Sequence, residues 1–129
     1  MEWRVQAIRG ATTASENTIE AMRESVLELL DVLETQNQLD PTHIISATFS
    51  VTRDLDAIFP ASIARERTRW QDVPLLDVQH MHVDGSLERC IRLLIHVHRP
   101  VPLPPVHHTY LRQARNLRPE WAIAPLGLG

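Results

Sequence analysis

The sequence predicts an α/β (α+β) protein, a mixed β-sheet covered by helices on one side. Three observations predict it. Segments of period-two alternation are interleaved with helical ones in the order strand, helix, strand, helix, strand, strand, helix. The one long helical segment is amphipathic, so it covers one sheet face and leaves the other to be buried by something else. A chain of 129 residues with 43% hydrophobic content is one ordinary domain, residues 1–129. Oligomerisation is the economical cover for the free face.

Each element has a local reason. Glu2 to Ile8 alternates Trp3, Val5 and Ala7 with more polar neighbours, which fits a strand ending at "RGATT", where Gly10 releases the chain into a turn. "SENTIEAMRESVLELLDVLETQNQ" places Ile19, Met22, Val26, Leu29, Leu30 and Leu33 on one helical face, and Asn17 with Glu20 resembles a capping box. After the break at Asp40-Pro41, "HIISATFSV" sets Ile45, Ala47, Phe49 and Val51 against Ser46, Thr48 and Ser50, a second strand. Pro60 opens a short helix with arginines behind it. A third strand is expected from Val73 to Val83, and Asp84-Gly85 turns it toward the strand "CIRLLIHVHRP". A proline-rich connection leads to a last helix around Val106 to Ala114, and the tail from about residue 119 is expected to be mobile.

Composition excludes several functions. The net charge of −3 argues against nucleic acid as a partner. No apolar run is long enough to span a membrane and "MEWRVQAIRG" has no signal-peptide core, so a cytoplasmic location is expected, with the single Cys90 reduced. All 13 Lys-plus-Arg positions are arginine, which removes Schiff-base, lysine-base and P-loop-lysine chemistry. Arg23, Arg53, Arg67, Arg99 and Arg112 read as surface ion-pair residues.

The histidine pairs His80/His82 and His96/His98 have strand spacing suited to a metal, but no Asp or Glu completes a ligand motif and no metal is expected. There is no "GxSxG", and Cys90 sits in an apolar strand, where it reads as a core thiol. Arg92 is the exception in its strand. Its guanidinium is always charged, and removing its water costs on the order of several kcal/mol unless an anion and acceptors replace it. Converging on one cleft with Arg9, Arg65 and Arg118, it would compose an arginine-lined site for a small carboxylate, because the guanidinium fork matches a carboxylate in two parallel hydrogen bonds; exposed, each arginine would mean little.

The segments "IRGATT", "DLDAIFPASIARE", "WQDVPLL", "GSLERCIRLL" and "HHTYLRQARNLRP", in that order and at those separations from about Arg4 to Pro119, resemble the monofunctional α/β-barrel type of chorismate mutase. The resemblance implies a homotrimeric pseudo-α/β-barrel with an active site at each subunit interface. It also implies a cofactor-free Claisen rearrangement of chorismate to prephenate, toward phenylalanine and tyrosine. On it, Arg92 is the central cation against the ether oxygen and a carboxylate, and Arg9 and Tyr110 bind the other carboxylate. Phe59, Ala61 and Arg65 form a wall from the neighbouring subunit, Leu75, Leu76 and Leu117 an apolar lining, and Arg118 a group beside the tail that helps close the site.

Two positions depart from the family pattern: Asp77 stands where a cysteine is common, and His80 where a glutamate contacts the substrate hydroxyl. Neutral His80 can still accept that hydrogen bond. A regular strand puts Asp77 and His80 on opposite faces, so both line the site only if the chain bends there. Two alternatives use the same arginines: a trimeric enamine/imine deaminase-like enzyme, and a non-catalytic sensor of an aromatic-pathway carboxylate.

Overall fold

The helix Ile19–Asn37 (α1) organises one side of the molecule. In the computed structural model, which describes residues 2–121, its Met22, Val26, Leu29, Leu30 and Leu33 are fully buried. Each such side chain contributes roughly 1.5–3 kcal/mol by leaving water. They pack on the strands Trp3–Thr13 (β1), Ile44–Val51 (β2) and Cys90–Pro100 (β4), through Ile8, Ala47, Phe49, Ile91, Leu93, Ile95 and Val97. A short helix, Pro60–Ala64 (α2), and the strands Leu75–Gln79 (β3) and Thr109–Tyr110 (β5) complete the fold.

The sheet is mixed and five-stranded, in the order β3-β2-β4-β1-β5. The pairs β1/β4 and β2/β4 are antiparallel, while β2/β3 and β1/β5 are parallel. Both helices lie on one face, as the alternation within β4 requires. The opposite face carries Val5, Leu76, Val78 and Leu94, which are 55%, 59%, 39% and 39% exposed. These apolar side chains share the open face with Arg9, Arg92, Thr48 and Ser50.

Several local expectations are corrected. β1 continues through "RGATT" to Thr13, and Gly10 is no turn: a Cβ there would stand 2.9 Å from Leu33 Cδ1 and 3.3 Å from Leu29 Cδ1. The cap of α1 is Thr18, whose hydroxyl accepts from the Ala21 N–H at 3.1 Å. Asn17 instead ties down the loop after β2, accepting from the Asp56 and Ala57 N–H groups. A register shift between Ile44 and Ser46 turns Ile45 outward and Ile44 into the core.

β3 ends at Gln79 rather than Val83, and β2 lies between it and β4, so the Asp84-Gly85 turn joins strands that do not pair. Gly85, at φ 79°, still supplies the left-handed residue of that turn. The expected last helix is instead β5 followed by a 3-10 turn over Arg112–Asn116. Pairing with Gly10 and Ala11 overrides the helical spacing of "VHHTYLRQA".

Arg99 is buried rather than a surface ion-pair residue, and its guanidinium donates to Asn37 O and Gln38 O at the C-terminus of α1, where a cation is favourable. Arg23, Arg67 and Arg112 do pair with carboxylates, and Arg53 pairs with none among the described residues. The tail expectation falls largely on residues 122–129, outside the described residues.

Candidate active site

Strand register assembles the open face row by row. Arg9 stands opposite Leu94, and Leu94 opposite Thr48. One step along, Ala11 stands opposite Arg92, and Arg92 opposite Ser50. Directly paired residues share a face, so Arg9, Arg92, Thr48 and Ser50 project together. They line a shallow pocket of about 480 Å³.

The Arg92 Nε is buried and has no hydrogen-bond partner among the described residues. Neither Arg92, Arg9 nor Arg65 forms an ion pair there, whereas Arg4, Arg23, Arg67, Arg69, Arg89, Arg112 and Arg118 all do. A buried cationic donor without an acceptor is costly to keep, and its natural partner is an anion from outside the chain.

His80 follows β3 immediately, its N–H donating to Val51 O at 3.0 Å. Its Nδ1 lies 3.0 Å from Ser50 Oγ, which places the ring beside Arg92. Burial first, then the Arg92 charge, hold the imidazole below the ordinary histidine range, so it is neutral at pH 7.

Asp77 is elsewhere. β3 is regular, Asp77 faces Phe49 on the helix side, and its Oδ1 accepts from the Ala61 N–H at 3.0 Å. Burial raises its pKa, against the Ala61 N–H and the Arg65 charge, which lower it. Asp77 and His80 therefore stay on opposite faces, with no bend in β3 to bring them together. Around Asp77, the strongly exposed Phe59 and the buried Pro60 line a second pocket of about 550 Å³ that shares no residue with the first. Ala61 is buried beneath it, and Arg65 caps α2. Leu75 packs toward the core, while Leu76 points to the open face.

A third group sits at the β5 end of the sheet. Tyr110 is 1% exposed and packs with Ala11, Ala114, Leu117 and Trp121. The Arg118 guanidinium lies 3.6 Å from the Trp121 ring centroid and that of Arg9 5.5 Å. Sequence reasoning missed Trp121, which follows "LRP", and also Ser50. Strand alternation was signal enough for Ser50, since it shares the face of Thr48; for Trp121 the only signal was an aromatic close to Arg118.

Among the described residues no three His, Cys, Asp or Glu side chains gather as a metal site would require. Burial pushes the Cys90 thiol up, which keeps it protonated and unreactive. A pocket of about 690 Å³ beside the Gly85–Arg89 turn presents Arg89 and Arg112, both already paired with carboxylates.

A mixed sheet with helices on one side, and on the other Arg9 and Arg92 without ion pairs among the described residues beside a neutral imidazole, defines a small α+β protein whose open face presents positive charge suited to an anion. The chain belongs to the chorismate mutase type I family, whose model matches residues 5–121. It is 36% identical over 119 residues to chorismate mutase AroH of Bacillus subtilis (strain 168), covering 92% of this chain and 94% of that one. Its identity to chorismate mutase AroH of Thermus thermophilus is 40% over 117 residues, 90% of this chain and 95% of that one. The solved chorismate mutase from Clostridium thermocellum superposes with a TM-score of 0.79 at 40% identity, covering 86% of this chain and 98% of that one.

Proposed function

We infer that the chain is a cytoplasmic enzyme that rearranges chorismate to prephenate in a site completed by a neighbouring copy within a homotrimer. The carrying observation is the buried Arg92 Nε, without a hydrogen-bond partner among the described residues, on the open face beside Arg9. In this reaction the ether C–O bond breaks as a C–C bond forms within one molecule, so no nucleophile, proton transfer or cofactor is required. What the protein contributes is a compact conformer and a donor aimed at the oxygen that gains negative charge.

Arg92 supplies that donor, and Arg9, at the edge of the cluster holding Tyr110, takes a carboxylate. Neutral His80 accepts from the substrate hydroxyl through Nε2 when its Nδ1–H donates to Ser50. Phe59, Ala61 and Arg65, with Leu76, form the wall that a neighbouring chain lays over this face, and Leu117 and Arg118 border the Arg9 end. Two features support assembly: the two half-sites occupy separate pockets of one chain, and the open face leaves Val5, Leu76, Val78 and Leu94 exposed around its polar groups. Asp77 does not touch substrate in this arrangement; its carboxylate holds the Phe59–Ala61 wall by its backbone.

The test is loss of chorismate absorbance with purified protein. Turnover with prephenate as product is expected, and Arg92→Ala should reduce kcat by about 10²–10³-fold or more while the assembly persists. Binding without conversion would make the chain a sensor. Near-normal turnover in the variant would remove Arg92 from its role.

A further inference from the structure

We propose that Trp121 is a positioning residue for carboxylate recognition: its indole holds the Arg9 and Arg118 guanidinium groups together at the edge of the pocket. The inference rests on the reading of Arg9 as a carboxylate ligand. Trp121 ends the 3-10 turn Pro119–Trp121, its N–H donating to Arg118 O at 2.9 Å. Its ring meets both cations, Arg118 at 3.6 Å and Arg9 at 5.5 Å from the centroid. Among the described residues Arg9 has no carboxylate partner, and Arg118 has only Glu120, more than half exposed, so the like charges are not neutralised by a buried acid.

An aromatic face does what a carboxylate there would spoil. Its quadrupole attracts both cations, yet it leaves the Arg9 N–H fork free for an incoming anion, while Arg118 donates through Nε to the exposed Glu120. A buried acid in that place would compete with the substrate for the same donors. The floor beneath is also kept uncharged. His108, 4.1 Å from the indole centroid, accepts the Arg9 backbone N–H on Nδ1 at 3.0 Å, and burial, Arg9 and Arg118 hold its pKa below the ordinary range. Tyr110 meets the indole edge-on, with ring centroids 5.6 Å apart. Arg9 is thus positioned through its backbone by His108 and through its head group by Trp121.

The experiment compares Trp121→Leu with Trp121→Phe at fixed ionic strength. The leucine variant should raise KM for chorismate about 3- to 30-fold with kcat changed by less than about twofold, and phenylalanine should recover most of the loss, because only it keeps a π face. Unchanged KM in the leucine variant, or equal impairment in both, overturns the proposal; a lowered KM would show that the indole obstructs the pocket. A second readout does not need turnover. Titrating prephenate should change indole emission in the wild-type protein and not in Trp121→Phe, although Trp3 and Trp70 remain. The same response in both proteins overturns the proposal. Failure of wild-type turnover, with that fluorescence difference intact, would sink the catalytic reading and leave the role of Trp121 standing.

Discussion

Arg92, His80 and Asp77 show how much a single residue's surroundings decide. His80 has its folded pKa lowered, so between that value and the ordinary 6.5 the unfolded chain binds the proton that the folded chain refuses. The stability its neutral ring contributes is complete above pH 6.5 and is lost as pH falls through the folded value. Ser50, Arg92 and Asp54 are the groups acting on it. Melting curves should therefore show wild-type protein losing ground to His80→Gln as pH drops below about 6.5; parallel curves for the two would contradict the burial of this ring beside Arg92.

Asp77 has the opposite sign, a carboxyl whose folded pKa is raised. Its contribution is greatest when protonated and is lost as pH rises through the folded value, so at pH 7 the chain carries part of the cost of a half-buried charge. An amide keeps the acceptor for the Ala61 N–H without that charge. Asp77→Asn is expected to be at least as stable as wild type at pH 7, and Asp77→Ala less stable by about 0.5–2 kcal/mol. Thermal melts decide it, and equal losses in both would show that the Ala61 hydrogen bond contributes nothing.

Among the elements, β1 and α1 are joined most tightly at Gly10. The helix approaches so closely that Leu33 Cδ1 would lie 2.9 Å from an added Cβ, with Thr109 O on the far side at 3.4 Å. Gly10→Ala should cost about 1–3 kcal/mol in urea unfolding, as overpacking of a dense core does; a stability within a few tenths of wild type would mean that Leu33 has room to turn away. The same contact explains a failed expectation. Glycine usually marks a turn, but here its missing side chain admits a helix onto a strand, and only the helix's position reveals which use applies. α1 itself was legible from its buried stripe, and β4 from its strict alternation, because both patterns are local and long. β5 has two residues and exists only through pairing with β1.

For the whole molecule, the proposed division of the site between two chains makes a prediction that no single chain can satisfy. If Arg92 and Arg65 serve one site from different chains, two variants each lacking one of them restore some sites when assembled together. Arg92→Ala and Arg65→Ala, each weakly active, should on co-refolding recover about a quarter of wild-type turnover by independent assortment in a cyclic assembly. No recovery in mixtures shown to be trimeric would place both arginines in the same chain's site.

The sequence by itself determined the α1 stripe, the alternation of β4, the embedding of a charge at Arg92 and the family resemblance, all of which rest on order and spacing along the chain. Tertiary structure alone decided that β2 separates β3 from β4, that Asp77 and His80 look to opposite sides, and that Arg99 caps a helix. It also decided which arginines lack a carboxylate among the described residues and that Trp121 meets Arg9 and Arg118. The physical reason is one of range. Periodicity is written in neighbours along the chain, whereas a charge's partner, a strand's neighbour and a glycine's use depend on residues brought close only by folding.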